Sequence, residues 1–175
     1  MKLDEVSSGA LYVDTNVWYM YLRADDATRP VLTTFFGRVV RGVWDVFVGI
    51  PVLDELFYRL LLARVQDASG RHPLEELRAD RAGAIRDHGP AINTALRQLV
   101  LLPHVHLVGV ETADFSRMLD NITTYALLPR DALHVALMQR LNLTAVASDD
   151  TDFDRVPILT RHWVINAPQR QRLES

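Results

Sequence analysis

The chain has 175 residues, of which 49% are apolar, 23% charged and 8% aromatic, and its net charge is -3. This composition is typical of one globular domain, and it excludes a disordered chain, a collagen-like fibre, a disulfide scaffold and a basic protein that coats duplex nucleic acid. The chain contains no cysteine, which excludes thiolate zinc sites, iron–sulfur clusters and cysteine nucleophiles, and which is typical of a reducing compartment.

Five short β-rich runs alternate with helical patterns, and no repeat or linker divides them, so we expect one domain over residues 1–175. The β-rich runs lie at residues 10–13, 46–50, 105–108, 144–147 and 163–165. The clearest helical patterns, with apolar residues three and four positions apart, lie at residues 52–65, 91–101, 112–125 and 130–141. This alternation predicts an α/β fold with a parallel sheet covered by helices on both faces.

Three segments carry further expectations. Residues 66–89 are rich in charge after a Ser69-Gly70 break, and we predict a polar helical hairpin inserted there, either as a solvated surface or as a lid or partner-facing arm. The tail at 167–175 is polar and is expected to be flexible. The acidic N-terminus does not resemble a signal peptide, and no apolar run is long enough to cross a membrane, so we expect a cytoplasmic protein.

Acidic residues recur where predicted strands end and helices begin. Asp14 and Asp150 each follow an apolar run. Glu55 lies one turn into the helix after the second strand, and Asp131 comes just after a proline, which favours the first turn of a helix. Because the carboxyl ends of parallel strands meet at one edge of a sheet, we expect all four side chains to project toward that edge.

A group of four acids at one edge indicates a cation, although any one of them alone would usually be a helix cap or a turn residue. Two carboxylates about 4 Å apart repel each other by roughly 4 kcal/mol at an effective dielectric constant near 20. A divalent cation removes this repulsion, and oxygen ligands suit Mg²⁺ or Mn²⁺. These ions usually assist phosphoryl or phosphodiester transfer.

The lysine count and the absence of several motifs narrow the class of enzyme. Lys2 is the one lysine among 19 basic residues, whereas phosphatases of the haloacid-dehalogenase type and receiver domains each need a lysine in their site. The chain also lacks a glycine-rich nucleotide loop, a dinucleotide-binding fingerprint and the elbow of a serine hydrolase. All these classes are therefore disfavoured.

Four short motifs occur in order across the chain, and together they resemble one known family. The motifs are Val13-Asp14-Thr15-Asn16-Val17, Pro51-Val52-Leu53-Asp54-Glu55-Leu56, Arg130-Asp131-Ala132-Leu133-His134-Val135-Ala136 and Ala147-Ser148-Asp149-Asp150-Thr151-Asp152-Phe153. In this order they resemble the PIN-domain ribonucleases, and among them the VapC-type toxins of toxin–antitoxin pairs. The resemblance implies a PIN-like three-layer α/β/α sandwich whose central parallel sheet has the strand order 3-2-1-4-5.

The resemblance also implies a set of site residues. The acidic quartet that holds one or two Mg²⁺ or Mn²⁺ ions would be Asp14, Glu55, Asp131 and Asp150, with Asp152 as an auxiliary ligand. The fourth position is open between Asp149 and Asp150, and we choose Asp150 because the family pattern places the ligand three residues before a phenylalanine, here Phe153. We add Asn16 and Arg130 as candidates for substrate binding.

The function implied by the resemblance is metal-dependent hydrolysis of RNA, which leaves a 5′-phosphate and a 3′-hydroxyl. The expected partners are the RNA substrate, a small antitoxin that holds the enzyme inactive, and a second copy of the chain in a homodimer. A housekeeping nuclease is the alternative to a toxin. A second interpretation, from another class, is a PIN fold that serves as an RNA-binding or assembly module with little catalysis.

Overall fold

The computed structural model describes residues 2–3 and 9–165; the predicted flexible tail at 167–175 lies outside them. The strands are β1 (Gly9–Val13), β2 (Trp44–Gly49), β3 (Val105–Val108), β4 (Ala145–Ala147) and β5 (Thr160–His162). The helices are α1 (Thr15–Leu22), α2 (Arg29–Val40), α3 (Ile50–Ser69), α4 (Pro73–Ala79), α5 (Arg81–Val100), α6 (Thr112–Tyr125) and α7 (Pro129–Arg140), with a 3₁₀ helix at Thr151–Arg155.

The five strands form one parallel sheet in the order β3-β2-β1-β4-β5. This confirms the predicted α/β class and the strand order. The central strand β1 pairs with β2 on one side and with β4 on the other, and Val13 lies opposite Ala147 in the register. The carboxyl ends of β1 and β4 therefore lie side by side, at the point where the chain turns from one half of the sheet to the other.

The central strand is covered on both faces. Leu11, Tyr12 and Val13 are consecutive and all fully buried, which is the pattern of a strand in a parallel sheet with helices on each side. In the crossover from β1 to β2, the ring of Phe36 lies 4.7 Å from the ring of Trp18 and 4.9 Å from that of Phe35, centroid to centroid. Within residues 2–3 and 9–165, no helix is long and apolar enough to cross a membrane.

The fifth strand lies three residues before the apolar run from which it was expected. Thr160–His162 pairs with β4, whereas Trp163 forms an isolated bridge with Lys2. The backbone N–H of Val164 donates to the carboxylate of Asp149 at 2.7 Å instead of to a neighbouring strand. The apolar residues after β5 are therefore packed into the core as a turn, and the strand itself is polar.

Residues 66–89 are helical, but they do not form a separate pair of helices. Helix α3 continues to Ser69 and is capped by Gly70. The φ of Gly70 is 66°, the left-handed conformation that glycine adopts most readily. The short α4 follows, and none of its side chains is buried. Asp80 then caps α5 by accepting a hydrogen bond of 2.8 Å from the N–H of Gly83. The segment thus consists of the ends of two long helices and one short helix between them.

Candidate active site

Asp14 ends β1 and caps α1, and its carboxylate is 7% exposed. It accepts hydrogen bonds from the N–H of Thr15 (2.6 Å), the amide of Asn16 (2.6 Å) and the hydroxyl of Ser148 (2.7 Å). Burial raises its pKa to about 6, and the nearby charges of Glu55 and Asp150 add to this, whereas the hydrogen bonds from Ser148 and Thr15 oppose it. The first acid is therefore rigidly held in a site that disfavours its charge.

Asp131 is the third residue of α7, next to the sheet edge where β1 and β4 end. Pro129 occupies the first turn of this helix, as the sequence predicts. The pKa of Asp131 is raised to about 6, first by burial and then by the charges of Asp150, Asp152 and Glu55, whereas Arg130 lowers it. Asp131 and Asp14 thus both interact with the charges of Glu55 and Asp150.

Glu55 lies in the second turn of α3 and is tied to two other elements. The hydroxyl of Thr15 donates to its Oε2 at 3.2 Å, and Nη1 of Arg130 lies 3.2 Å from the same oxygen. The Arg130 side chain is about half exposed, so one end of its guanidinium faces the acids while the rest faces solvent. The adjacent residue, Asp54, is exposed.

The two neighbouring aspartates after β4 have different environments. Asp149 is buried, and its carboxylate accepts hydrogen bonds from the backbone N–H of Val164 (2.7 Å) and of Ile165 (3.1 Å), so it fastens the turn after β5. Asp150 instead caps the 3₁₀ helix through the N–H of Asp152 (2.9 Å), and its charge raises the pKa of Asp14 and of Asp131. This difference supports Asp150 as the fourth acid.

Asn16 and Ser148 form the frame around Asp14. Asn16 donates to the carboxylate of Asp14 and to the hydroxyl of Ser148 (2.9 Å), and its carbonyl accepts from the N–H of Asp149 (3.2 Å). The side chain that we considered for substrate binding is thus engaged in positioning an acid. Ser148 is not among the site residues predicted from the sequence, although it lies directly after the apolar β4, where the other site residues of this edge are found.

We refer to Asp14, Glu55, Asp131 and Asp150 as the acidic cluster. In the described part of the chain, no three His, Asp or Glu side chains lie close enough together to coordinate one ion as they stand. The donor chemistry nevertheless fits a divalent cation, because the members offer hard carboxylate oxygens, and burial, with added repulsion from like charges, raises the pKa of two of them. Asp152 adds to this repulsion, and its carboxylate also pairs with Arg155 at 3.0 Å.

The comparisons with known proteins agree with this architecture. The PIN domain family matches residues 11–159. No curated protein matches the chain in sequence. Among solved structures, VapBC2 from Rickettsia felis, bound to a DNA fragment from its promoter, is 12% identical with a TM-score of 0.56, and the match covers 88% of this chain and 98% of that chain.

Two further structures are similar to a comparable degree. A toxin–antitoxin complex from Klebsiella pneumoniae is 15% identical with a TM-score of 0.52, covering 86% of this chain and 95% of that one. VapC20 from Mycobacterium tuberculosis, a toxin that cleaves the sarcin–ricin loop, is 15% identical with a TM-score of 0.51, covering 82% and 92%. At these identities the similarity concerns the fold.

Proposed function

Because the chain belongs to the PIN domain family, we propose that it is a metal-dependent endoribonuclease and the toxin of a toxin–antitoxin pair. The observation that carries the nuclease assignment is the acidic cluster, in which burial and like charge raise the pKa of Asp14 and of Asp131 to about 6. A module that only binds RNA gains nothing from this repulsion, whereas a site that binds a cation uses it.

The assignment as a toxin is supported by the structures that share the fold. Those structures include the toxin–antitoxin complex from Klebsiella pneumoniae and VapC20, a toxin that cleaves the sarcin–ricin loop. We propose by analogy that a small antitoxin is the partner of this chain, and that the chain acts as a homodimer in the cytoplasm, where its RNA substrate is found.

The acidic cluster would hold one or two Mg²⁺ or Mn²⁺ ions, with Asp152 as an auxiliary ligand. A bound ion of this kind supplies a Lewis acid, which lowers the pKa of an attacking water and offsets the negative charge on the phosphate. The protein fixes the orientation of the carboxylates that would bind the ion. Ser148 and Asn16 hold the Asp14 carboxylate in one orientation, so little reorganisation is needed when the substrate arrives.

The remaining groups fit hydrolysis of a phosphodiester. Glu55, fixed by Thr15 and Arg130, is placed to orient the attacking water. Arg130 exposes part of its guanidinium beside the acids, where it can contact the phosphate of the substrate. The water oxygen forms a bond to phosphorus while the bond to the 3′ oxygen breaks and that oxygen takes up a proton, which leaves a 5′-phosphate and a 3′-hydroxyl.

Cleavage of single-stranded and structured RNA tests the proposal, with Mg²⁺, with Mn²⁺ and with EDTA. We expect Asp14→Asn and Asp131→Asn to lower the cleavage rate at least about 100-fold, since losing even an outer partner of a metal ligand costs 10- to 100-fold. Asp54→Asn removes an exposed carboxylate next to Glu55 and serves as the matched control, with cleavage at the wild-type rate.

Two results would contradict the proposal. Cleavage that persists in EDTA, or in the Asp14→Asn variant, would show that the acidic cluster is not a metal-dependent active site. RNA binding by a folded wild-type protein without cleavage under any metal condition would favour the RNA-binding module instead.

A further inference from the structure

A buried tyrosine and histidine meet next to the acidic cluster, on two of the elements that carry its members. Tyr12 lies two residues before Asp14 on β1, and His134 lies one helical turn after Asp131 on α7. The Tyr12 hydroxyl is 2.9 Å from Nδ1 of His134, and the two side chains are 0% and 1% exposed. A directional hydrogen bond therefore joins the strand of the first acid to the helix of the third.

The end of β2 reaches the same point through its backbone. Gly49 is the last residue of β2 and the N-cap of α3, the helix that carries Glu55. Its backbone lies close to the Tyr12 hydroxyl. A Cβ at position 49 would overlap the Tyr12 hydroxyl and would lie 2.9 Å from Cδ1 of Leu137. Only glycine therefore permits this approach.

The hydrogen bond with Tyr12 determines which ring nitrogen of His134 can carry the proton. When the Tyr12 hydroxyl donates its hydrogen to Nδ1 of a neutral imidazole, the imidazole proton lies on Nε2. Nε2 has no hydrogen-bond partner among residues 2–3 and 9–165. Burial lowers the pKa of His134 to about 4, so the ring is neutral at neutral pH.

An unpaired buried polar atom destabilises the fold, so stability alone does not explain a histidine at this position, where an apolar side chain would fill the space. We propose that Tyr12, His134 and Gly49, which we call the brace, are positioning residues that set the spacing of Asp14, Glu55 and Asp131. The brace joins β1 and α7 through a hydrogen bond and packs the start of α3 against the same hydroxyl, whereas apolar contacts alone would let these elements shift. This inference rests on the proposed metal-dependent function.

Metal affinity tests the brace, with Mn²⁺ alone as the probe in isothermal titration calorimetry. Tyr12→Phe keeps the ring and removes the hydroxyl, and we expect about tenfold weaker Mn²⁺ binding, which is the size of effect seen when an outer contact of a metal ligand is lost. Cleavage by this variant should be impaired at low Mn²⁺ and restored at high Mn²⁺. The control is Val39→Ala, which removes buried volume from α2; it should melt at a lower temperature and bind Mn²⁺ as the wild type does.

A double-mutant cycle tests whether the members act together. Gly49→Ala places a methyl group against the Tyr12 hydroxyl, and we expect weaker Mn²⁺ binding. Adding Tyr12→Phe removes the atom that the methyl group meets, so the double variant should bind no more weakly than Gly49→Ala alone. Circular dichroism confirms that each variant is folded before it is titrated.

The outcomes separate the brace from the proposed function. If the wild type binds Mn²⁺ and a folded Tyr12→Phe variant binds it equally tightly, or if the two effects in the cycle simply add, the brace is wrong and the nuclease proposal stands. If the wild type itself binds no Mn²⁺, the proposed metal site fails and the brace fails with it.

Discussion

Two buried aspartates show how a structural carboxylate differs from one in the acidic cluster. Burial raises the pKa of Asp114, but hydrogen bonds from Arg140 (3.0 Å) and from the N–H of Glu111 (2.8 Å) lower it more, so it ends below its ordinary value. The donors to Asp14 that the structure describes are all neutral, and the pKa of Asp14 stays at about 6. The surroundings therefore favour the ionised form of Asp114 and disfavour that of Asp14.

The ion pair between Asp114 and Arg140 leads to a prediction about stability. Arg140→Met should lower the free energy of unfolding by roughly 3 kcal/mol, because it removes the nearest cation from a fully buried carboxylate and leaves it with Arg117, whose Nη1 lies 3.7 Å away. Urea denaturation measures this. Arg86→Met is the control, since the pair of Arg86 with Asp87 is exposed and should contribute less than about 1 kcal/mol. Equal effects of the two substitutions on the free energy of unfolding would contradict a stabilising role of the Asp114–Arg140 ion pair.

At the level of single residues, the sequence predicts an acid that ends a strand or begins a helix, but it does not predict the hydrogen-bond partners of a side chain. Asp14 and Asp131 are found where an apolar run and a proline place them. The choice between Asp149 and Asp150 depends on which backbone N–H groups each carboxylate meets, and two adjacent identical residues carry no sign of that. Tyr12 has the sequence pattern of any core aromatic residue, because its hydroxyl partner is 122 positions away.

At the level of elements, apolar periodicity predicts the bounds of a helix or strand well only where one face of it is buried. Helix α6 has the bounds that its pattern predicts, residues 112–125. Helix α5 runs without a break from Arg81 to Val100, whereas the sequence predicts a polar hairpin up to residue 89 and a separate helix from 91, because Pro90, which usually ends a helix, lies between the two. Strand β5 was misplaced for another reason: it is a three-residue edge strand with a polar sequence.

The short helix α4 gives a prediction at this scale. It has seven residues and no buried side chain, and a helix of that length is not stable without tertiary packing. We expect its amide hydrogens to exchange with solvent at least about 100-fold faster than those in the middle of α3, where Leu56 and Leu60 are buried. Hydrogen exchange followed by NMR or mass spectrometry measures this, and equal protection of α3 and α4 would show that α4 belongs to the rigid core.

At the scale of the whole molecule, the raised pKa of Asp14 makes stability depend on pH. Between pH 4 and 6 the folded state holds a proton on Asp14 that the unfolded state has lost, so the free energy of unfolding falls as the pH rises through this range. In EDTA, we therefore expect the wild type to lose stability relative to Asp14→Asn between pH 5 and pH 7.5. Urea denaturation of both proteins at both pH values measures the difference.

The comparison of wild type and variant isolates Asp14. Burial lowers the pKa of His134 and of His162, and both histidines contribute an opposite pH dependence, but they are present in both proteins and cancel. Adding Mn²⁺ at pH 7.5 should stabilise the wild type and leave Asp14→Asn unchanged, because only the wild type keeps the full acidic cluster. If the difference in free energy of unfolding between the two proteins is the same at pH 5 and at pH 7.5, the pKa of Asp14 is not raised in the folded protein.

The position of β1 in the middle of the sheet has a consequence for synthesis of the chain. Its neighbour β4 is formed by residues 145–147, and Asp150 follows directly. A ribosome delivers Asp14 and Glu55 first, whereas half of the acidic cluster and one side of the central strand arrive only when residues 131–150 have been made. A nascent chain that stops short of Asp150 therefore has no complete acidic cluster, and under the proposed function it is inactive until that residue has left the ribosome.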